Sequence, residues 1–112
     1  MKMPRVILFL FGLCFLFVNN ASAGCAVERC VGKITTIYPH SIPNTVYIGT
    51  DGDETALFCI PNSNQYIKLS PGQTLFKEMY DLLIMGMMYN RTMQVRVNTD
   101  GTSCRVVYVL MQ

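Results

Sequence analysis

Four cysteines, one histidine and a short acidic run are the residues of this chain whose types could do chemistry. Cys25, Cys30, Cys59 and Cys104 remain once Cys14 is set aside with the apolar N-terminal segment. An even number of cysteines in a short exported chain predicts disulfides in an oxidising compartment. Four cysteines allow three pairings. The five-residue separation of Cys25 and Cys30 suits a local clip, and Cys59 and Cys104 would then join two strands far apart in sequence. A four-cysteine zinc site is the alternative, and the lack of a C-x-x-C pair weighs against it. His40, the only histidine, lies between Pro39 and Ser41 with no motif to offer a nucleophile or acid partner, so it reads as a solvated loop residue. Asp51, Asp53 and Glu54 lack the ligand spacing of a calcium loop and read as a polar hairpin turn. Asn90-Arg91-Thr92 matches a glycosylation acceptor only in a eukaryotic host, and serves without that role as a helix stop. Phosphate-binding glycine loops are absent from the sequence. These residues predict no enzyme, no cofactor and no metal.

Residues 1–23 read as an export signal. Lys2 and Arg5 give a basic start, and Val6 to Val18 is apolar over about 13 residues, against the roughly 18 or more of a membrane span. Ala21-Ser22-Ala23 is the small-x-small pattern at which signal peptidase cuts. The mature chain is expected to begin at Gly24, to be secreted or periplasmic, and to carry no membrane span. Ser22-Ala23-Gly24-Cys25 loosely resembles a bacterial lipoprotein cleavage box, but Ser22 stands where a leucine is usual.

Removing 23 of the 112 residues leaves 89, one small domain at 24–112. Lys2 and Arg5 leave with the signal, so seven basic residues face seven acidic ones. A neutral domain has no general attraction for nucleic acid or anionic lipid, and nucleic-acid binding is not expected.

The elements that must position the remaining candidates are mostly strands. Val31 to Tyr38 is β-branched and ends at Pro39 and Pro43; Thr45 to Thr50 is a second strand, with Asp51-Gly52-Asp53 as a hairpin turn. Ala56 to Ile60 reads as a strand apolar on both faces, and Tyr66 to Leu69 as a short extended piece. Ser70-Pro71-Gly72-Gln73 resembles a capped helix start, with the helix running to about Tyr89 and Asn90 as its left-handed stop. Met93, Val95 and Val97 alternate with Gln94, Arg96 and Asn98, and Cys104 to Met111 is the last strand. Three strands, a helix and two strands predict a mainly β fold with one helix, an OB-type five-stranded barrel of order β-β-β-α-β-β.

On the helix, Leu75, Met79, Leu82, Leu83 and Gly86 share the face expected on the barrel, with Phe76 at its edge. Lys77, Glu78 and Asp81 mark the outer face, where Met85 and Met88 also fall. Those two methionines are either soft filler beneath a loop or an interface between copies of the chain. For recognition, Thr36, Tyr38, Tyr47, Tyr66 and Arg96, with Gln94 and Asn98 beside Arg96, could supply ring faces and hydrogen bonds to a sugar or a protein. They equally suit an ordinary barrel exterior.

The chain resembles the receptor-binding B subunits of the subtilase cytotoxin, typhoid toxin and pertussis-like toxin group. Val31-Gly32-Lys33-Ile34-Thr35-Thr36-Ile37-Tyr38 resembles their first strand, and Ala56-Leu57-Phe58-Cys59-Ile60 their cysteine-bearing third. Leu75-Phe76-Lys77-Glu78-Met79-Tyr80-Asp81, Met93-Gln94-Val95-Arg96-Val97 and Thr102-Ser103-Cys104 resemble the helix, the next strand and the late cysteine. The resemblance implies an OB fold, a bacterial homopentamer with helices lining its centre, a cell-surface glycan as ligand and an A subunit as partner. Sugar-binding relatives carry a serine where this chain has Val31, whose side chain has no hydrogen-bonding group. They also place a cysteine in the second strand, where Ile48-Gly49 stands here, so the resemblance turns Cys59 towards Cys104. A sialic-acid pocket is therefore not carried over. The alternative is a monomeric periplasmic module, structural or inhibitory, that binds a protein partner and no sugar.

Overall fold

The structure is a computed structural model that describes residues 23–112. The expected signal, apart from Ala23, lies outside the described residues. Seven strands and one α-helix are present among them. These are β1 (Gly24–Ala26), β2 (Arg29–Gly32), β3 (Ile34–His40), β4 (Thr45–Thr50), β5 (Ile67–Leu69), α1 (Phe76–Met88), β6 (Met93–Val97) and β7 (Val106–Met111). The fold is mainly β with one helix, as the periodicity predicts. The strands pair as two sheets, ordered β1-β2-β6-β7 and β3-β4-β5, and not as one closed ladder of five.

The division arises inside the expected first strand. β2 and β3 are consecutive across Lys33, and the chain changes sheet there. Asp51 Oδ1 accepts the Lys33 N–H at 3.1 Å, and the Asp51 N–H is donated to the Lys33 carbonyl at 3.1 Å. Gly32 permits this, because a Cβ at that position would collide with the Asp51 carboxylate. The hairpin β1–β2 adds a further strand, with Cys25 paired directly across from Cys30.

Pro39 does not end β3, as the sequence suggests. Pro39 pairs with Val46 and His40 with Thr45. β3 is an outer strand of its sheet, where a residue without an N–H costs no ladder hydrogen bond. Ala56 to Ile60 is not a strand buried on both faces. Glu54–Ala56 form a 3-10 turn, Leu57 and Cys59 face inward, and Phe58 and Ile60 are exposed. This segment is held by backbone bonds to both sides, from the Phe58 N–H to the Val27 carbonyl and from the Ile60 N–H to that of Thr102.

The helix begins later than its sequence signature. The Ser70 N–H is donated to Gln73 Oε1 and the Gln73 N–H to the Ser70 carbonyl, so the box closes a separate turn. Gln73 Nε2 ties that turn to the Val106 carbonyl of β7 at 2.8 Å. Leu75 is left-handed (φ 60°) and 62% exposed, so it leaves the core face on which periodicity places it. Met79, Leu83 and Gly86 are buried as the period requires. A Cβ on Gly86 would collide with the Met93 side chain, so the bare position sets how closely α1 approaches β6. The helix ends as expected: Asn90 is left-handed, and the Arg91 N–H reaches back to the Gly86 carbonyl at 2.9 Å. No helix among the described residues is long and apolar enough to cross a membrane.

Ile34, Val46, Ile48, Ile67 and Leu69 from one sheet meet Met93, Val95, Val97 and Val106 from the other, with Leu83 of α1 among them. Two disulfides lock this core. Cys25–Cys30 spans five residues and Cys59–Cys104 spans 45. Chain-entropy arithmetic gives the longer one about 4 kcal/mol and the shorter about 2. Replacing Cys59 and Cys104 by alanine should therefore cost more in guanidinium unfolding than replacing Cys25 and Cys30. Equal losses would show that loop length does not govern these cross-links.

Candidate functional site

Period-two alternation sends Thr36, Tyr38 and His40 of β3 to the face away from the core. Register then sets their neighbours: Thr36 opposite Gly49, Tyr38 opposite Tyr47, His40 opposite Thr45 and Tyr47 opposite Lys68. The rings converge. Tyr38 lies 5.6 Å from Tyr47 and 6.1 Å from Tyr66 between centroids, Tyr47 lies 6.1 Å from Tyr66, and His40 lies 5.5 Å from Tyr38. Tyr47 is the floor at 8% exposure, while Tyr38 stands up at 41%. Gly49 lets Thr36 and Tyr66 close in over β4, since a Cβ there would lie 3.1 Å from Thr36 Cβ and 3.5 Å from Tyr66 Cε1.

Among the described residues, the hydroxyls of Tyr38, Tyr47 and Tyr66 have no hydrogen-bond partner, and no side-chain polar atom is both buried and unsatisfied. These hydroxyls are therefore open to solvent or to a ligand. The face has no Asp or Glu, and Lys68 and His40 are its basic groups. Such a surface offers flat apolar rings edged with hydroxyl groups. It can stack on a planar or ring-shaped ligand and exchange neutral hydrogen bonds with it.

Four of the five sequence candidates thus come together: Thr36, Tyr38, Tyr47 and Tyr66. Arg96 does not join them. It sits in the other sheet, opposite Arg29, and its guanidinium is 3.0 Å from Glu28 Oε2. Glu28 also accepts from Arg29 at 2.6 Å, so one carboxylate bridges two arginines that would otherwise repel across the ladder. The hydrogen bond from Arg29, then the charge of Arg96, hold the Glu28 carboxyl below its ordinary value. Gln94 and Asn98 are buried and are not part of an exposed polar face. Gln94 donates to the Tyr108 hydroxyl at 3.0 Å, and Asn98 braces the loop before β7. His40 is the residue that sequence reasoning missed. It is half-buried at the end of β3, and only the continuation of the strand through Pro39 could have placed it in the ring cluster.

A larger concavity, of about 830 Å³, lies over β1, β2 and β6, with Val31, Arg29, Glu28 and Gln94 in its wall. Its arginine and carboxylate are already paired, and Val31 contributes no polar atom there. The sulfurs of Cys25 and Cys30 lie near the Glu54 carboxylate, but both are in a disulfide and Glu54 accepts from Thr50. Asp51, Asp53 and Glu54 do not converge on a cation: Asp51 accepts from Lys33, Asp53 from Thr55 and Glu54 from Thr50. Met85 and Met88 are exposed on the outer face of α1, Met88 at 73%, and Tyr89 lies beside them in sequence. Compared with protein-family models, curated proteins and solved structures, the chain matches none of them.

The loop before β7 yields a pH test. Asp100 accepts from the Thr102 hydroxyl at 2.6 Å, from Asn98 Nδ2 at 2.7 Å, from the Thr102 N–H at 3.1 Å and from Arg105 at 3.1 Å. These bonds, the Thr102 hydroxyl first, hold its carboxyl far below the usual carboxylate range. A depressed folded-state value means that the ionised form stabilises the fold. That contribution is complete above the unfolded value of about 3.9 and disappears as pH falls from there towards the folded value. Asp100→Asn should lower the melting temperature at neutral pH and flatten its decline between about pH 5 and 2. Parallel declines in both proteins would exclude Asp100 as a source of acid lability.

Proposed function

We propose that this chain is a secreted or periplasmic, non-catalytic binding protein whose β3–β4–β5 face receives a glycan, in the manner of a toxin B subunit. The observation that carries the reading is the cluster of Tyr38, Tyr47 and Tyr66, three rings from three segments on one outer face whose hydroxyls have no partner among the described residues. Single-stranded nucleic acid also stacks on such rings, but a domain with seven basic and seven acidic residues lacks the positive groove it needs.

An OB-type barrel is the finer reading of the fold. The succession of β2 and β3 with only Lys33 between them, the parallel bridge of Lys68 with Arg105 between the sheets, and a helix between β5 and β6 support it. On that reading Tyr47 of β4 and Tyr66, just before β5, lie on the face of the second and third barrel strands, which OB folds use for oligosaccharides and oligonucleotides, and Tyr38 of β3 flanks them from the first. Exposed Met85 and Met88 support a ring of copies packed through α1, with an A subunit as its further partner. Val31 favours the second reading, a monomeric module that binds a protein partner and no sugar.

Labelled, oxidised domain beginning at Gly24 should bind defined glycans on an array. Tyr38→Ala combined with Tyr66→Ala should lower that binding at least tenfold with unchanged far-ultraviolet dichroism. Retained binding in the double variant, or none by the native domain, would sink the glycan reading. Light scattering should return a mass near five protomers, falling to one when Met85 and Met88 are both changed to Lys. A native monomer would remove the ring and favour the second reading.

A further inference from the structure

The cysteine pair that clips β1 to β2 sits against a buried acid. Cys25 and Cys30 are direct register partners across this hairpin, and Glu54 belongs to the 3-10 turn beside them. The two sulfurs and one carboxylate oxygen of Glu54 all lie within 4.8 Å of one another. Glu54 is 4% exposed, and among the described residues it pairs with no Lys, Arg or His. Its carboxylate accepts hydrogen bonds there from Thr50 alone, from the N–H at 2.9 Å and from the hydroxyl. A buried carboxylate is usually paired with a cation or bound to a metal. This one instead faces two sulfurs and a hydroxyl, for Thr50 Oγ1 is also 3.7 Å from Cys25 Sγ.

With the disulfide opened, this set has the donor types of a zinc site. Two thiolates and a carboxylate suit zinc, whereas calcium and magnesium take oxygen ligands throughout. Tetrahedral zinc with Zn–S bonds of about 2.3 Å holds two thiolate sulfurs about 3.8 Å apart. That spacing lies inside the 4.8 Å within which the three ligand atoms already gather. The buried charge also balances. A disulfide beside the Glu54 carboxylate carries one negative charge, and two thiolates, one carboxylate and Zn2+ together carry the same. The Thr50 hydroxyl orients the carboxylate, as partners behind metal ligands commonly do. Cys25 is half-buried and lines the concavity of about 830 Å³, whereas Cys30 and Glu54 are buried, so a metal ion would enter past Cys25.

We propose that Cys25, Cys30 and Glu54 form a redox-gated zinc site, shut while the disulfide stands and available once a thiol reductant cleaves it. The reductant supplies two electrons and two protons, the S–S bond becomes two thiols, and the reductant leaves as its own disulfide. Zn2+ then takes both sulfurs as thiolates and their two protons are released, with no change of oxidation state at the metal. A water from the concavity completes the four ligands. The metal replaces the disulfide as the clip of β1 to β2 and adds the turn at Glu54 to it. The site is independent of the glycan reading, since it lies on none of the tyrosine-bearing strands β3, β4 and β5 apart from the Thr50 end of β4.

The test uses the exported protein, oxidised or reduced, with Co2+ as a coloured probe for Zn2+. A phosphine serves as reductant, because it leaves as its oxide and does not compete for the metal. One Co2+ per chain should bind only after reduction, with thiolate-to-cobalt charge-transfer absorption, and Zn2+ should displace it. Zinc should raise the melting temperature of the reduced protein and leave that of the oxidised protein unchanged. Cys59 and Cys104 offer two more thiols on full reduction, so variants must assign the metal. Cys25→Ser combined with Cys30→Ser should abolish the absorption, and Glu54→Gln should weaken zinc binding by about tenfold or more. Infrared difference spectra of the unaltered reduced protein, with and without zinc, should show a carboxylate band shifting, which guards against misfolding of the Glu54 variant. No cobalt absorption after reduction, or absorption that survives the loss of Cys25 and Cys30, would overturn the site. Unchanged zinc affinity in a folded Glu54→Gln variant, or an unmoved carboxylate band, would remove Glu54 as a ligand and the proposal with it.

Discussion

The junction around Cys59 and Cys104 is the constraint on which the rest of this small domain depends. The two sheets share no continuous ladder, and here their strands come into register. The disulfide joins a segment that follows β4 to one that precedes β7. Beside it the Ile60 N–H meets the Thr102 carbonyl, the Cys104 N–H meets that of Ile60, and the Lys68 N–H meets that of Cys104. The disulfide and the first two bonds thus hold the Cys59–Ile60 segment against residues 102–104, and the third holds β5 against the chain just before β7. Without that alignment Ile67 and Leu69 would lack Val106 as a neighbour. A core this small has little surplus to absorb such a loss.

The site inherits its geometry from that alignment. Once β5 is placed, β4 must pair with it through Tyr47 and Lys68, and β3 with β4 through Tyr38 and Tyr47. Strict alternation then has two consequences at once. Ile48 and Val46 enter the core, and the residues between and beside them, Tyr47 and Gly49, turn outward. A slip of one residue in β4 would bury a tyrosine and expose an isoleucine, so the hydrophobic core enforces the register of the aromatic face. The tyrosines need no hydrogen bonds of their own to stay in place; Tyr47 is held by the rings on either side of it.

Much of this order is visible in the sequence, because it is local. The alternation of Met93, Val95 and Val97 is a two-residue pattern, the buried face of α1 a pattern of three and four, and the stop at Asn90 a single residue with a left-handed preference. What the sequence leaves open depends on partners from elsewhere in the chain. Pro39 reads as a breaker until β3 is known to lie at the side of its sheet, where a missing N–H does no harm. Leu75 reads as a core residue until Gln73 is seen tied to Val106, which delays the helix. Gln94 and Asn98 read as a polar face because their alternation is right; only the Tyr108 hydroxyl and the loop around Asp100 make them buried. Thr36 and the three tyrosines could be nominated one by one. Their convergence, the separation of Arg96 from them and the inclusion of His40 all follow from strand pairing, which no single window of sequence contains.

Charge decides how such a surface can act. Residues 24–112 carry seven basic and seven acidic side chains, the arginines in β2 and β6 are bridged by Glu28, and the tyrosine face has no carboxylate. Long-range attraction therefore contributes little to an encounter, and recognition must come from stacking and neutral hydrogen bonds at contact. Each aromatic contact of this kind is worth on the order of 1 kcal/mol, so one shallow face alone binds weakly. Repetition is the physical remedy. Copies held in one assembly raise the effective concentration of each site after the first has bound, and avidity can exceed single-site affinity by about 10²–10⁴ without any new contact. The exposed methionines of α1 lie on the helix and the tyrosines on the β3–β4–β5 sheet, so an assembly built through the helix would not use the sheet's aromatic residues. The two proposals therefore support one another: a weak neutral face has most use when repeated, and a helix end that is costly to leave in water has most use when it does the repeating.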